Sequence, residues 1–463
     1  MRTMATVRAA ALALAGLLTA PFASAAVLCV KPGGGGGCTT TIQAAVDTAH
    51  AGDKILVGAG TYYENVVVAA GKDGLFIGGI NRSLTIVDAN NYTDLGITTH
   101  NGPAFQILSP RVTIKGLTIR NGSDAGVDVE APLAVITANT FAGLTGASSA
   151  GVSIGSGNAY NAVVTLNDIH DMVLGIASGS YGTLAKGNLV TSTVFGIYST
   201  GDAAQVLNNK VYNSAAVGVF VTGDGATVQA NDVRYGTVGI ETAGSLPAVK
   251  LNRVTGTQLG IVTDCSNCFG GAVASNSVTD ATAFGIIASS DDTGLNVQSN
   301  AVVRAGYGIA ASGTGIFLTS NRPSDIGSFA DGYCIGVFGD VNSASKNVVA
   351  RCQGSGLYVN GSNNTLTGNL VSGTYENGIT VDGCDSDGLG GCNPGPLAGN
   401  TLTGNRISGN AGQGVAIVGA ADATRLFSNT VGKNRTDLCD EGTNTLLTGN
   451  AIGTTSASCD IRH

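Results

Sequence analysis

The sequence predicts an all-β protein: a single-domain parallel β-helix with three short strands per coil, about 14 coils and an N-terminal cap. Two phased markers predict this fold. Asn followed two residues later by Val or Ile recurs every 21 to 24 residues, as at Asn188, Asn209 and Asn231. Gly followed by Ile or Val comes eight or nine residues after each Asn, as at Gly196 and Gly218. Between the markers, short runs alternate apolar and polar residues, which is typical of strands.

The composition excludes several other classes of protein. The 463 residues include 70 Gly, but they lack the strict triplet period of collagen. Hydrophobic residues make up 43% and charged residues only 12%, whereas disordered chains are poor in apolar residues and highly charged. A nucleic-acid partner is not expected, because the formal net charge is −8 and nucleic-acid binding requires a basic surface.

The first 25 residues have the pattern of an export signal. Arg2 and Arg8 precede the apolar stretch 9–22, and Ala23-Ser24-Ala25 offers small residues for cleavage. We therefore expect an extracellular or periplasmic protein whose mature chain starts at Ala26. No later apolar run is long enough to span a membrane, so we expect no span in the mature chain.

Ten cysteines in an exported chain favour disulfides. Their spacing favours pairing between neighbours, although connectivity stays open at this stage. The alternative for the short Cys265–Cys268 pair is a metal site, which lacks further ligands nearby. The predicted pairs are Cys29–Cys38, Cys265–Cys268, Cys334–Cys352, Cys384–Cys392 and Cys439–Cys459.

Each marker has an expected structural role. Successive coils hydrogen-bond at about 4.8 Å, so about 14 coils form a rod about 65 Å long. We expect each Asn to adopt the left-handed conformation at a tight bend. Its buried amide then bonds to its counterpart one coil away. The Gly series is expected to provide the backbone geometry needed before a strand.

The segment 41–66 resembles the N-terminal cap of the pectin-lyase-like superfamily of right-handed parallel β-helices, which includes NosD-like and polysaccharide-lyase-like proteins. The matching stretches are Thr41-Ile-Gln-Ala-Ala-Val-Asp-Thr-Ala, Gly52-Asp-Lys-Ile-Leu-Val and Gly60-Thr-Tyr-Tyr-Glu-Asn-Val. In the first stretch, Ile42, Ala45, Val46 and Ala49 form one face of a short amphipathic helix, which we expect to cover the open end of the stack. We divide the mature chain into a cap with the first coils, 26–110, and β-helix repeats with a C-terminal cap, 111–463.

The resemblance implies that a functional groove runs along the Gly-Ile strand, the first strand of each coil. The outward positions two residues after each Gly contain several aromatic residues, which we expect to stack on sugars: Tyr198, Phe220, Phe338 and Tyr358. Nearby carboxylates are candidates for the acid and base of glycoside hydrolysis. The alternative is that they are polar turn residues. These candidates are Glu241, Asp264, Asp291 and Asp292.

An insertion at 382–392 lengthens one coil. Asp382, Asp385 and Asp387 are candidate calcium ligands, but the loop lacks the spacing and closing Glu of an EF-hand. A loop clipped by Cys384 and Cys392 is the alternative.

Three functions stay open from sequence. The first is an exported β-helix protein that interacts with a polysaccharide, with catalysis unproven. The second is a glycan-degrading or glycan-modifying enzyme: a glycoside hydrolase, polysaccharide lyase or epimerase. The third is a non-catalytic surface, adhesive or periplasmic accessory protein. Fold alone does not decide among them, and the sequence does not give the oligomeric state.

Overall fold

The chain is a parallel β-solenoid of about 16 turns, which confirms the predicted fold class. The computed structural model describes residues 25–89, 102–144, 146, 149–265, 270–290, 294–327, 332–383, 385–386, 392–393, 397–419 and 421–459. Within these ranges the chain has one short helix, Ile42–Thr48, and every long-range strand pairing between coils is parallel. The division at 110 stays a prediction.

Each coil runs through a first, a second and a third strand. Within the described residues the second strands form an 18-stranded sheet. They are Val27–Val30, Lys54–Val57, Phe76–Gly79, Thr113–Lys115, Val135–Thr137, Val163–Thr165, Leu184–Lys186, Gln205–Leu207, Thr227–Gln229, Ala248–Lys250, Ala272–Ala274, Asn296–Gln298, Phe317–Thr319, Ser343–Ser345, Thr365–Thr367, Thr401–Thr403, Arg425–Phe427 and Leu446–Thr448.

The third and first strands together form a 29-stranded sheet in the described part of the chain. The separate third strands are Gly60–Tyr62, Thr85–Asp88, Thr118–Arg120, Thr140–Ala142, Ser277–Thr279, Ala301–Val303, Arg322–Ile326, Val348–Cys352, Leu370–Ser372, Arg406–Ser408, Thr430–Gly432 and Ala451–Ile452. The separate first strands are Val66–Val68, Phe105–Ile107, Ala125–Val129, Ala150–Ile154, Phe284–Ser290, Tyr307–Gly313, Tyr333–Phe338, Ser355–Asn360, Ile379–Asp382, Gln413–Val418, Thr436–Asp440 and Thr455–Ser456. In five successive coils the two strands are continuous: Asp168–Ser178, Leu189–Ser199, Lys210–Val221, Asp232–Ala243 and Arg253–Cys265.

The prediction of about 14 coils was too low because it counted Asn markers. The coils before Asn139 lack the marker. Leu117 stands at the equivalent corner, where its N–H donates to Oδ1 of Asn139 at 3.0 Å. These coils are nevertheless paired through the second strands Lys54–Val57, Phe76–Gly79 and Thr113–Lys115.

The cap helix is confirmed and lies over the end of the stack. Ile42, Ala45, Val46 and Ala49 are all buried. Glu64 accepts hydrogen bonds from the first two helical N–H groups, at 2.7 and 2.9 Å, which satisfies donors that have no partner within a helix.

A continuous ladder of buried Asn side chains joins the coils at the corner between the second and third strands. Asn209, for example, donates its backbone N–H and its Nδ2 to Oδ1 of Asn231, at 2.9 and 3.0 Å. The same Nδ2 donates to the carbonyl oxygen of Ala185 in the preceding coil at 2.9 Å. The predicted amide ladder is therefore confirmed, with one addition: Asn321 also belongs to it. The members are Asn139, Asn167, Asn188, Asn209, Asn231, Asn252, Asn276, Asn300, Asn321, Asn347, Asn369, Asn405, Asn429 and Asn450.

The expectation that the ladder Asn itself is left-handed was wrong. The residue before it takes that conformation, as at Leu166, with φ 58°, and Ala230, with φ 57°. The bend falls on the residue before the Asn, because the Asn side chain must then point inward to the ladder Asn residues of the neighbouring coils. The other two corners are built in the same way, and side chains as large as those of Leu246 and Tyr235 take φ values of 53° and 59°.

The Gly series provides space rather than an unusual backbone. A Cβ on Gly218 would lie 2.5 Å from Cγ1 of Val233 and 2.7 Å from the carbonyl oxygen of Gly239. Val233 stands on the third strand of the same coil, and most other members of the Gly series meet a Val or Ile at the equivalent position. Close packing of successive coils, and not a positive φ, explains this marker.

Three predicted disulfides are present in the described residues: Cys29–Cys38, Cys334–Cys352 and Cys439–Cys459, with Cα–Cα distances of 4.7, 5.8 and 5.5 Å. The other two predicted pairs, Cys265–Cys268 and Cys384–Cys392, involve residues or side chains outside the described residues. Disulfides are typical of an oxidising compartment.

Residues 1–24, which hold nearly all of the predicted export signal, lie outside the described residues. In the part of the chain that is described, no helix has the length and apolar character needed to cross a membrane.

We expect Gly218→Ala to lower the free energy of unfolding by about 1–3 kcal/mol, because its Cβ overpacks the contact between coils. Gly432→Ala is the matched control, since its Cβ would meet no atom within 4 Å. Thermal melts of both variants check this, and equal melting temperatures would contradict the packing explanation.

We expect Asn231→Ala to destabilise the chain by about 3 kcal/mol, because buried polar groups lose their partners. These groups are the N–H and Nδ2 of Asn209 and the carbonyl oxygen of Val206. Denaturant unfolding measures the change. The control is Asn296→Ala, which should cost much less, because Asn296 is exposed and its side chain donates to the carbonyl oxygen of Gly294 in its own turn.

Candidate functional site

The first-strand face carries a depression of about 310 Å³ lined by five aromatic side chains. We call this group, Phe284, Tyr307, Tyr333, Phe338 and Tyr358, the aromatic cradle. Phe284 stacks on Tyr307 with ring centroids 4.6 Å apart, and Tyr307 lies 5.1 Å from Tyr333. Phe338 lies 5.4 Å from Tyr333 and 5.8 Å from Tyr358. The rings therefore form one continuous surface over four successive coils.

Strand register explains how the cradle is built. Phe284 and Tyr307 are direct partners on neighbouring first strands, and Tyr333 begins the next one. Gly336 forms the floor, because a Cβ there would lie 2.5 Å from Tyr333 and 2.6 Å from Phe338. Any larger residue at this position would fill the depression.

The sequence placed Phe338 and Tyr358 in the same outward column, which was wrong. Tyr358 pairs with Gly336, whereas Phe338 pairs with Asn360. The cause is Cys334, which occupies the position of the marker Gly in this coil. Ile309 follows the marker Gly308, and its register partner Ile335 follows Cys334. The sequence rule took Gly336 as the marker and so shifted this coil by two residues. Phe338 still reaches Tyr358 through ring contact.

Two Tyr residues of the cradle hold their protons tightly. Burial raises the pKa of Tyr333 and of Tyr358 well above the ordinary value for a phenol. The Tyr358 hydroxyl donates to the Asp382 carboxylate at 2.6 Å, and this negative charge raises the pKa of Tyr358 further. Both phenols are therefore neutral hydrogen-bonding groups at physiological pH.

A second, smaller aromatic group lies earlier on the same face. Tyr198 and Phe220 stack with centroids 5.0 Å apart, and Phe195 meets Tyr198 edge-on at 5.8 Å. Sequence reasoning identified Tyr198 and Phe220 but missed several other aromatic residues. Each missed residue immediately precedes the position of the marker Gly, a signal visible in the sequence: Phe195, Phe284, Tyr307 and Tyr333.

The structure brings two of the four candidate catalytic carboxylates near each other. Glu241 pairs with Val262, and Asp264 is two residues further along that strand. One strand spacing and two residue rises place the Cα atoms of such neighbours about 8 Å apart. Partial burial raises the pKa of Glu241, and the charge of Asp264 raises it further. Asp291 and Asp292 lie outside the described residues, and the catalytic role of the whole set stays a prediction.

The candidate calcium ligands are only partly described. Asp382 lies on the first-strand face, at the end of Ile379–Asp382. Asp385 belongs to a short antiparallel pair with Asn393, but its side chain is outside the described residues, as is Asp387. Among the described side chains, no cluster of three or more His, Cys, Asp or Glu residues could hold a metal ion. Calcium stays a prediction.

A charged ladder occupies the corner between the third and first strands. Arg304 donates to both oxygens of Asp280, and Arg351 does the same to Asp325. These guanidinium groups lower the pKa of both carboxyls. A depression of about 540 Å³ lies beside Asp280 and Arg304, larger than the cradle but lined by charges that already neutralise each other.

Comparison with protein families gives one match. The family described as periplasmic copper-binding protein (NosD) matches residues 328–460, which is less than a third of the chain. The predicted resemblance to NosD-like proteins thus has support in the C-terminal coils. A search of curated proteins found no match.

Several solved structures have a similar fold at low identity. The A-module of the Azotobacter vinelandii mannuronan C-5 epimerase AlgE6 is 11% identical with a TM-score of 0.38, covering 90% of this chain and 94% of that one. The PL6 family alginate lyase AlyGC is 9% identical with a TM-score of 0.37, covering 89% and 97%. The catalytic domain of a GH87 α-1,3-glucanase in complex with nigerose is 11% identical with a TM-score of 0.31, covering 94% and 68%. At these values the similarities give no information about activity.

The raised pKa of Glu241 predicts a pH-dependent effect of Glu241→Gln. A raised folded-state pKa means that wild-type stability falls as pH rises from the ordinary Glu value of about 4.3 through the raised value. The glutamine variant lacks this loss, so its melting temperature should gain on that of the wild type between about pH 4 and pH 7. Asp47→Asn serves as the control, since Asp47 is exposed and its carboxylate accepts a hydrogen bond from the uncharged side chain of Gln43. A difference that is constant with pH would contradict the prediction.

Proposed function

We propose that this protein binds a polysaccharide along its first-strand face, with the aromatic cradle as the main stacking site. The observation that carries the proposal is the set of five rings around one open depression with Gly336 as its floor. A sugar ring has an apolar face and hydroxyl groups around its edge. Aromatic ring faces match the apolar face, and a few polar groups then fix orientation.

Polar groups stand beside the rings as this function requires. Ser312, Phe338, Asn360 and Asp382 follow one another in register on four successive coils. The Tyr358 hydroxyl lies beside Asp382. A sugar stacked on the rings has hydroxyl, amide and carboxylate groups within reach along one edge of the cradle.

The shape of the face favours a polymer as the ligand. The half-buried apolar residues Val262 and Ile287 are register partners that connect the Glu241 coil with the coils of the cradle. The smaller aromatic group at Tyr198 and Phe220 extends the face further. A chain of sugars lying along the rod contacts several coils in succession, whereas a single sugar contacts one or two.

We infer that the protein works outside the cytosol. Three observations support this: the disulfides, the export-signal pattern of residues 1–25, and the match of residues 328–460 to a family described as periplasmic. Secretion of the full-length chain from cells, with cleavage before Ala26, is the direct check.

Binding to a panel of oligosaccharides tests the proposed function. For an oligosaccharide that binds, we expect Tyr333→Ala and Phe338→Ala each to weaken affinity about tenfold or more, because each removes one wall of the cradle. Tyr333→Phe keeps the ring and should retain most of the affinity. Tyr181→Ala is the matched control, since Tyr181 is exposed at another corner.

Calorimetric titration measures the affinities, and thermal melts verify that each variant is folded. Equal affinity of the cradle and control variants would contradict the proposed site. Assays of the same mixtures for new reducing ends and for unsaturated products would reveal hydrolase or lyase activity.

A further inference from the structure

The first-strand face is distinguished by its charge. Within the described strands, every Lys and Arg lies on a second or third strand, as do Lys186, Arg234 and Lys250. The first strands contribute carboxylates together with the aromatic rings. The strands therefore place their cationic side chains on two faces of the rod and present aromatic rings with carboxylates on the third.

Two of these carboxylates stand at the two ends of the cradle. Asp264, Ser289, Ser312, Phe338, Asn360 and Asp382 pair in sequence, one per coil. Asp264 lies one coil before Phe284, the first cradle residue, and Asp382 lies one coil after Tyr358, the last. Five coil steps separate the two carboxylates, about 24 Å along the rod.

Aromatic faces and carboxylates both favour a positive charge. The face of an aromatic ring attracts an ammonium group through its quadrupole, and a nearby carboxylate adds direct attraction. A carboxylated sugar such as a uronate is repelled by the same arrangement. The two kinds of group act in the same direction along the whole length of the cradle.

We propose that the glycan bound on this face is a cationic polymer of amino sugars, with its ammonium groups at the cradle rings and at Asp264 and Asp382. This proposal rests on the proposed function and specifies its ligand class. The ammonium groups are spaced along the chain, so different sugars contact the rings and the two end carboxylates at the same time. Binding is a reversible association and involves no covalent step.

Matched oligosaccharides separate the charge of the ligand from its shape. The full chain is titrated with glucosamine oligomers, with N-acetylglucosamine oligomers of the same length, and with galacturonate oligomers, at a pH low enough to protonate the amines. We expect the ammonium oligomers to bind about tenfold more tightly than the acetylated ones. We expect this preference to shrink at high salt because exposed charges are screened.

Carboxylate variants test the two ends of the cradle. Asp264→Asn and Asp382→Asn should each lower affinity for the ammonium oligomers about threefold more than affinity for the acetylated oligomers, because only the ammonium oligomers lose a charge interaction. The asparagine at 382 can still accept the Tyr358 hydrogen bond. Asp171→Asn, which removes an exposed carboxylate from another corner, should alter neither affinity.

The outcomes separate this inference from the function on which it rests. Cradle-dependent binding of acetylated or galacturonate oligomers with equal or greater affinity overturns the amino-sugar proposal and leaves the polysaccharide site in place. Binding of no oligomer, in this experiment and in the wider oligosaccharide panel, overturns both. A preference for ammonium oligomers that survives both Asp substitutions also overturns the proposed role of the end carboxylates.

Discussion

The ladder of buried Asn side chains is the constraint on which the other features of this solenoid depend. Each amide within the ladder joins its own coil to the coils before and after it, and the Oδ1 and Nδ2 contacts of the ladder measure 2.7–3.2 Å. An isolated coil would leave these amides without their partners and could not bury its apolar side chains. Stability is therefore shared between neighbouring coils. The ladder also fixes the stacking register, which decides which side chains meet on the outer faces.

The sequence predicted this architecture well because the ladder has a strict chemical requirement. Only a side chain with both a donor and an acceptor can bond to an identical neighbour above and below it, so Asn recurs where it is needed. The two-residue rule failed at Asn321 because Pro323 occupies the usual Val position. The rule also failed in the early coils, which lack the marker Asn. At the corner of Leu117, the backbone N–H of Leu117 donates to Asn139, and no side-chain amide is present. The bend residues could not be predicted, since Leu, Tyr and Ala all occur there with positive φ.

The candidate site was only partly predictable because outward positions are not fixed by the core. The sequence identified Phe338 and Tyr358 as members of the site, but it assigned them to one column. Cys334 replaces the marker Gly in that coil and bonds to Cys352, so the local register could be recognised only from the pairing of Ile309 with Ile335. Phe284 and Tyr307 were missed because outward residues were sought two positions after each Gly and the position before it was not considered. Their half-buried rings instead form the wall of the cradle.

The constant rise from coil to coil makes this face a molecular ruler. Duplicating or deleting one coil between Asp264 and Asp382 would move the two carboxylates by one strand spacing, while the interior would remain a stack of the same Val, Ile and Leu contacts. In this architecture, the length of ligand that the face can bind is therefore independent of the packing that stabilises the core. Evolution or engineering could adjust the first in steps of a single repeat without redesigning the second.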